Sequence, residues 1–336
     1  MQAMAIRRNL LTIHRYVGRG NSDDSAVPAY NPSLTTRPPI RVWSDLIRTH
    51  QWSKNVLVFV PVLTSHRILE RAYLLPALEM FLSLNLAASA TYIFNDLRDL
   101  AADRQHPRKR YRALASGQVA IREGIVVAAL LGIAGFSLAA YSGIPALLML
   151  AAYVAISLSY SLWLKKKLLV DVFTLSGLYT LRIIAGGVVS GIVLSGWLLS
   201  FSVFLFLSLG FSKRTAEIRA SRGGKFNLAG RAYRKSDFFQ ISQFGVASGF
   251  VSSLVLALYV GSDQVRLLYR EPAWLWFLVP LFLFWIARLG LLAYRGELHE
   301  DPVVFALTDF VTICFAFVGL GVGLLATSGV RLEFMK

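Results

Sequence analysis

Cysteine is almost missing from this 336-residue chain: Cys314 is the single example. No disulfide can form within the chain, and a cysteine metal cluster is excluded. Charge is also scarce, at 16% of residues against 55% apolar, a balance foreign to soluble proteins of this length. Acids are the rarer sign, 19 against 35 Lys and Arg, and the five histidines offer no obvious catalytic setting.

What the chain does have is long apolar blocks, and these predict membrane spans instead of amphipathic surface helices. Nine are read, at about 55–66, 74–95, 122–142, 145–163, 169–190, 196–212, 238–260, 273–293 and 303–327. The first is short and the sixth marginal. With the N-terminus in the cytoplasm, 27 Lys and Arg fall inside and six on the opposite side, while Arg182 and Arg288 lie within spans. That asymmetry obeys the positive-inside rule. The expectation is an all-α integral membrane protein: a nine-transmembrane-helix bundle, N-terminus inside, with a central polar cavity facing the cytoplasm. The net charge of +16 then reflects topology and anionic lipid, and no nucleic acid is required. No convincing internal repeat supports a transporter. A homo-oligomer is compatible with the sequence.

Residues 1–40 read as a basic, flexible tail and linker, and 41–336 as the transmembrane domain. Ile6 to Val17 is either a basic amphipathic surface helix or a disordered basic stretch. Its apolar part is too short and interrupted for a signal peptide.

The stretch richest in chemistry closes the second span: Asn95-Asp96-Leu97-Arg98-Asp99-Leu100-Ala101-Ala102-Asp103. Asn95, Asp99 and Asp103 recur every fourth residue, one stripe on a helix, with Asp96 beside it. Four oxygen-bearing side chains at a membrane boundary are costly unless a cation is held there. Hard oxygen ligands suit magnesium, which shares its remaining sites with waters and substrate phosphates. Arg104, Arg108, Lys109, Arg110 and Arg112 follow, a set suited to phosphate oxygens. Together these read as a metal–diphosphate site. The alternative is a solvated acidic loop whose basic residues anchor it on the cytoplasmic side.

Other inner connections carry polar clusters too. Lys54 is the last charge before the first span, where it either snorkels or enters a cavity. Tyr92, one turn before the motif, either meets a phosphate or packs at the interface. Lys165-Lys166-Lys167 precede Asp171, Lys213-Arg214 follow the sixth span, and Asp309 is expected two turns deep in the ninth. Arg182 is mid-span, where a guanidinium costs about a few kcal/mol unless it meets a polar cavity or an acid. Asp171, eleven residues earlier, shares its helix face. Arg182 therefore reads either as a fixed cation for an anionic group or as a brace between spans. Gly186 and Gly187 allow close helix approach, and Arg288 and Asp309 read as interhelical polar contacts.

The motifs resemble a known family. Asn95-Asp96-x-x-Asp99-x-x-x-Asp103, His106-Pro107-x-Lys109-Arg110 and Arg112-Ala113-Leu114-Ala115-Ser116-Gly117 are similar to the first aspartate motif and loop of the UbiA-type intramembrane prenyltransferase superfamily. The likeness spans about residues 40–327. Members acting on aromatic acceptors carry a second aspartate-rich motif at the helix matching the fifth span; here Lys165 to Asp171 contains one acid. Gln51-Trp52-x-Lys54-Asn55, Ala87-Ala88-Ser89-Ala90-x-Tyr92 and Arg182-x-x-Ala185-Gly186-Gly187 resemble instead the branch of polyprenyl-phosphate phosphoribosyltransferases.

The resemblance implies Mg2+-dependent transfer of 5-phosphoribose from 5-phosphoribosyl 1-diphosphate to a polyprenyl phosphate lipid, releasing diphosphate. It implies a cell-envelope role in a bacterial-type plasma (inner) membrane, with the site on the cytoplasmic side. Asn95, Asp99 and Asp103 would be the metal ligands, with Asp96, Asp99 and Asp103 the catalytic acids. Lys54, Tyr92, Lys109, Arg110, Lys165, Arg182 and Lys213 would bind the substrates. The alternatives are an isoprenoid transferase acting on an aromatic or small acceptor, and a membrane transporter.

Overall fold

A computed structural model describes residues 39–106, 109–222, 231–298 and 302–330. The basic tail, Arg108 and the polar run His299-Glu300-Asp301 lie outside the described residues. Every regular element among the described residues is helical. Helix α1 (Pro39–Ile47) leads into a 3-10 segment (Thr49–Phe59) and the five-residue α2 (Val60–Thr64). Then come α3 (Arg71–Arg98), α4 (Leu100–Gln105), α5 (Ile121–Ser142), α6 (Ile144–Leu162) and α7 (Val170–Ser190). The remainder is α8 (Gly196–Arg222), α9 (Phe238–Val260), α10 (Asp263–Leu268), α11 (Leu278–Arg295), α12 (Pro302–Thr308) and α13 (Phe310–Ser328).

Eight helices among the described residues are long and apolar enough to cross a membrane, so this is a multi-pass membrane protein. The expected first span is not among them. Its residues divide between the 3-10 segment and α2.

Helix α7 is the axis of the bundle. In its most apolar stretch 56% of residues are interior, against 17% in each of α5, α6, α11 and α13. Gly186 makes that central position workable, as the two-glycine reading anticipated. A β-carbon there would lie 2.0 Å from the Val58 carbonyl oxygen, so the backbone of the 3-10 segment rests directly on α7.

Two other boundaries differ from expectation. Helix α8 continues to Arg222, well past 212, because Ile218 extends its apolar face into a cluster with Tyr233 and Phe238. Lys213 and Arg214 therefore sit on an ordered helix. The expected ninth span is broken at Asp309, which caps α13 by accepting from Thr312 N at 2.9 Å and Thr312 Oγ1 at 2.8 Å. An aspartate is favourable at a helix N-terminus, where unpaired N–H groups gather. It also receives Arg288 through two bonds, at 2.7 and 3.0 Å; an interhelical polar contact was expected of each, and the two prove to be one another's partners.

Candidate functional site

The motif straddles the end of α3. Asp99 is the residue between α3 and α4, yet the hydrogen-bond ladder crosses the joint: Asp99 N–H donates to Asn95 O, and Asp103 N–H to Asp99 O, each at 2.9 Å. The stripe of fourth residues is therefore real in the backbone. Its side chains nevertheless divide into two groups.

Asp96 and Asp103 face cations. One Arg112 nitrogen lies 3.0 Å from Asp96 and 2.6 Å from Asp103; Arg48 reaches Asp96 at 2.6 Å, and Lys109 stands 3.8 Å from Asp103. The acids are interior, with side chains 8% and 3% exposed, whereas Arg112 and Lys109 are 33% and 47% exposed. Buried acids thus fix the positions of outer cations, and three cations to two acids leaves positive charge facing outward. Arg48 adopts a left-handed backbone, φ 54°, unusual for a residue with a side chain. Its guanidinium also lies 4.8 Å from the Tyr92 ring centroid.

Asn95 and Asp99 behave differently. Asn95 Nδ2 donates to Ser161 Oγ at 3.0 Å, and its Oδ1 is buried with no hydrogen-bond partner among the described residues. Asp99, one turn further on, is half-exposed and gripped by Arg98 at 2.9 and 3.0 Å. Burial opposes ionisation of Asp99, but the Arg98 hydrogen bond and the charges of Arg98, Lys165 and Lys109 prevail and hold its carboxyl below the ordinary value. For Lys165, burial comes first and the like charges of Arg98, Arg231 and Lys166 add to it. Together they push the ammonium down against the pull of Asp99.

An orphaned amide oxygen beside an ionised, accessible carboxylate fits one hard cation that keeps waters or substrate oxygens. No cluster of three or more acidic, His or Cys side chains among the described residues is arranged as a metal cage. The geometry therefore does not gather all four motif oxygens at one point, and Asp103 stands with Arg112 and Lys109.

Arg182 is 7% exposed and, among the described residues, hydrogen-bonded only to neutral partners. Its Nε donates to Asn55 Oδ1 at 2.7 Å, one terminal nitrogen to the Leu178 carbonyl at 2.5 Å, and the other to Tyr153 Oη at 3.1 Å. The Tyr153 and Tyr179 rings flank it at 4.9 and 5.2 Å. Asp171, on the same helix, is not its counterion. That carboxylate is 0% exposed and forms ion pairs with Arg214 at 2.8 Å and Arg231 at 3.6 Å. It also accepts from the Tyr233 hydroxyl and, at 2.7 Å, from Val172 N. Burial and that bond to Asp171 push the Tyr233 phenol up. Arg214 further pairs with Glu217, and Arg231 donates to Tyr160 Oη at 3.0 Å.

The three shorter motif strings meet in space. Trp52 Nε1 donates to Ser89 Oγ at 3.1 Å, Asn55 Nδ2 to Asn85 Oδ1 at 2.6 Å, and Asn55 receives Arg182. Lys54 is half-buried on that 3-10 turn, and Lys213 is half-buried on α8 beside Arg214. Arg110 is exposed and donates to Tyr111 Oη at 2.8 Å. Sequence reasoning did not place Arg48, Asn55, Arg231 or Tyr233 in the site. Asn55 stands in one of the shorter motif strings, but its partners Asn85 and Arg182 are distant in sequence.

The fold defines a multi-pass helical membrane protein, and the family match defines a transferase. The UbiA prenyltransferase family model matches residues 65–307, and the chain belongs to that family. It is 36% identical to the decaprenyl-phosphate phosphoribosyltransferase of Mycobacterium tuberculosis over 311 residues, covering 90% of this chain and 98% of that one. It is also 40% identical over 274 residues to the uncharacterized protein y4nM of Sinorhizobium fredii, a match covering 81% of this chain and 53% of that protein's length. A UbiA homolog from Archaeoglobus fulgidus, whose structure is bound to GPP and Mg2+, shares the fold. Its TM-score is 0.60 at 15% identity, over 84% of this chain and 99% of that one.

Proposed function

We propose that the chain transfers 5-phosphoribose from 5-phosphoribosyl 1-diphosphate to a polyprenyl phosphate, with magnesium, on the cytoplasmic face of a bacterial-type plasma membrane. The sealing of Asp171 carries this reading. The one acid at the start of α7 is closed off by Arg214, Arg231 and Tyr233, so it is not free to serve a second metal–diphosphate centre. Cations take its place: Arg48, Lys109 and Arg112 around the motif, Lys165 within electrostatic reach of Asp99, and Arg182 in the interior. Joining two phosphate-rich substrates needs such a field, because the anions must be held together against their repulsion.

Asn95 and Asp99 would hold magnesium, which, when bound, supplies Lewis-acid stabilisation of the diphosphate leaving group. The bond from ribose C1 to diphosphate breaks and its electron pair departs with diphosphate, leaving C1 oxocarbenium-like, as in glycoside cleavage. An oxygen of the lipid phosphate then bonds to C1. That oxygen is already anionic, so no strong general base is required. Lys109 and Lys165 take up charge on the departing diphosphate, and Arg182 anchors an anionic group deeper in the bundle. Asp96 and Asp103 act by positioning Arg48, Arg112 and Lys109.

The topology belongs to the same reading. Residues 49–64 are too few to cross as an α-helix, but eleven in 3-10 and five in α conformation span about 30 Å. That length allows a ninth crossing and a cytoplasmic N-terminus, consistent with the charge asymmetry.

The test uses purified protein, Mg2+, ribose-labelled 5-phosphoribosyl 1-diphosphate and a polyprenyl phosphate. Lipid-soluble label is the expected result. No such label, together with prenyl transfer from a prenyl diphosphate to an aromatic acid, would overturn the proposal in favour of an aromatic prenyltransferase.

A further inference from the structure

The two arms of the Asn95 amide have different fates. Nδ2 donates to Ser161 Oγ at 3.0 Å, while Oδ1 is buried without a partner among the described residues. Ser161 is the penultimate residue of α6, 66 positions along the chain from Asn95. That end of α6 serves the motif twice, because Lys165, four residues further on, interacts electrostatically with Asp99.

Serines within helices commonly turn back on their own backbone. Ser83, Ser142 and Ser202 do so here, each donating to the carbonyl four residues earlier. Ser161 instead accepts across the helix boundary from Asn95. The consequence lies in the chemistry of the amide. Its oxygen attracts a cation, whereas its nitrogen carries two N–H groups and repels one. The two arms are nearly equal in size, so shape alone does not choose which of them faces an ion. With Oδ1 toward a cation, the N–H arm must turn away and find an acceptor, and Ser161 Oγ supplies it. A cation on Oδ1 would also polarise the amide and strengthen its N–H as a donor, so that bond and ion reinforce each other.

We propose that Ser161 is a positioning residue for the metal, holding the Asn95 amide with its oxygen toward the ion. The inference rests on the reading that Asn95 and Asp99 hold magnesium. A plain brace between α3 and α6 would use the same hydrogen bond, and metal affinity separates the two roles.

The experiment uses the purified full chain in detergent, with Mn2+ in place of magnesium. Binding is titrated by electron paramagnetic resonance, and melting temperatures are measured alongside. Ser161→Ala is expected to weaken Mn2+ binding about 10–100-fold, the common cost of removing the partner that orients a metal ligand. Ser161→Thr keeps the hydroxyl and is expected to bind as wild type does. In an Asn95→Asp background the effect of Ser161→Ala should vanish, because a carboxylate turns an oxygen to the ion whichever way it lies. An equal loss in both backgrounds overturns the proposal, as does a fall in melting temperature with Mn2+ affinity unchanged; either result assigns Ser161 the bracing role. Binding that is lost in Asn95→Ala but unmoved in Ser161→Ala overturns the proposal and leaves the magnesium reading standing. Binding unmoved by both Asn95→Ala and Asp99→Ala removes the magnesium reading itself, and the proposal with it.

Discussion

Arg182 of the axial helix donates its Nε to Asn55 Oδ1 at 2.7 Å, a contact between residues 127 positions apart. It ties the 3-10 segment to α7 at the depth where Gly186 lets the two backbones touch. A buried guanidinium with neutral partners keeps its full charge available to an anion. Asn55→Leu removes its one side-chain amide acceptor and also the donor to Asn85. Thermal unfolding in detergent should show a loss of about 1–3 kcal/mol, the usual cost of a buried unmet partner. A melting temperature equal to wild type would show that the contact braces nothing.

Asp99 and Lys109 are expected to be indispensable for transfer and dispensable for folding. Asp99 is half-exposed and Lys109 touches its acid only at 3.8 Å. Asp99→Ala or Lys109→Ala should lower kcat by about 10²–10³-fold, the scale of losing one preorganised charge stabiliser. Both proteins should insert and purify in normal yield. Full activity in either variant would remove that residue from the site.

Asp171 should show the reverse pattern, in which stability is the first casualty. Asp171→Asn leaves Arg214 buried with Glu217 as its remaining acid, at a cost of about 3–5 kcal/mol for a broken buried pair. Tyr233→Phe removes one neutral donor and should cost about 1 kcal/mol. Paired melting curves test the order. If Tyr233→Phe proves the more damaging, the buried ion pair is not the centre of that cluster.

Chelation of divalent metal should stop transfer, and added Mg2+ should restore it. The melting temperature should shift little on chelation, because Asp96 and Asp103 keep Arg48, Arg112 and Lys109 as partners in the absence of metal. Collapse of the fold with chelator would mean that those acids, too, depend on the ion.

Acid should act on the metal-free protein through Asp99. Its carboxyl is held below the ordinary 3.8 by Arg98, Lys165 and Lys109 against the effect of burial. The folded form therefore binds its proton less readily than the unfolded chain. The stability this contributes is present above pH 3.8 and is lost as pH falls through the lowered value. In chelator, the stability difference between wild type and Asp99→Asn should shrink as pH drops below 4. A difference that is constant from pH 6 to pH 3 would contradict the assignment.

Hydropathy and charge by themselves determined that this is an all-helical membrane protein, and they located most of its spans. Long apolar runs have few other stable outcomes, and the Lys and Arg bias is a local property of each connection. The spacing of Asn95, Asp99 and Asp103 also determined the stripe, since an α-helix repeats its faces whatever surrounds it. Tertiary structure decided how that stripe is used. Asp96, Asp99 and Asp103 carry the same carboxylate, and only the arrival of Arg48, Arg112 and Lys109 surrounds Asp96 and Asp103 with cations. Asp171 shared a helix face with Arg182, yet the packing of α8 and the Tyr233 segment supplied Arg214, Arg231 and Tyr233 instead. Helix ends moved for the same reason: Ile218 found an apolar cluster that carried α8 onward, and Asp309 found Thr312 and became a cap. Periodicity is written within a few turns of chain, whereas ion pairing depends on which distant residue reaches a carboxylate in a medium that offers it no water.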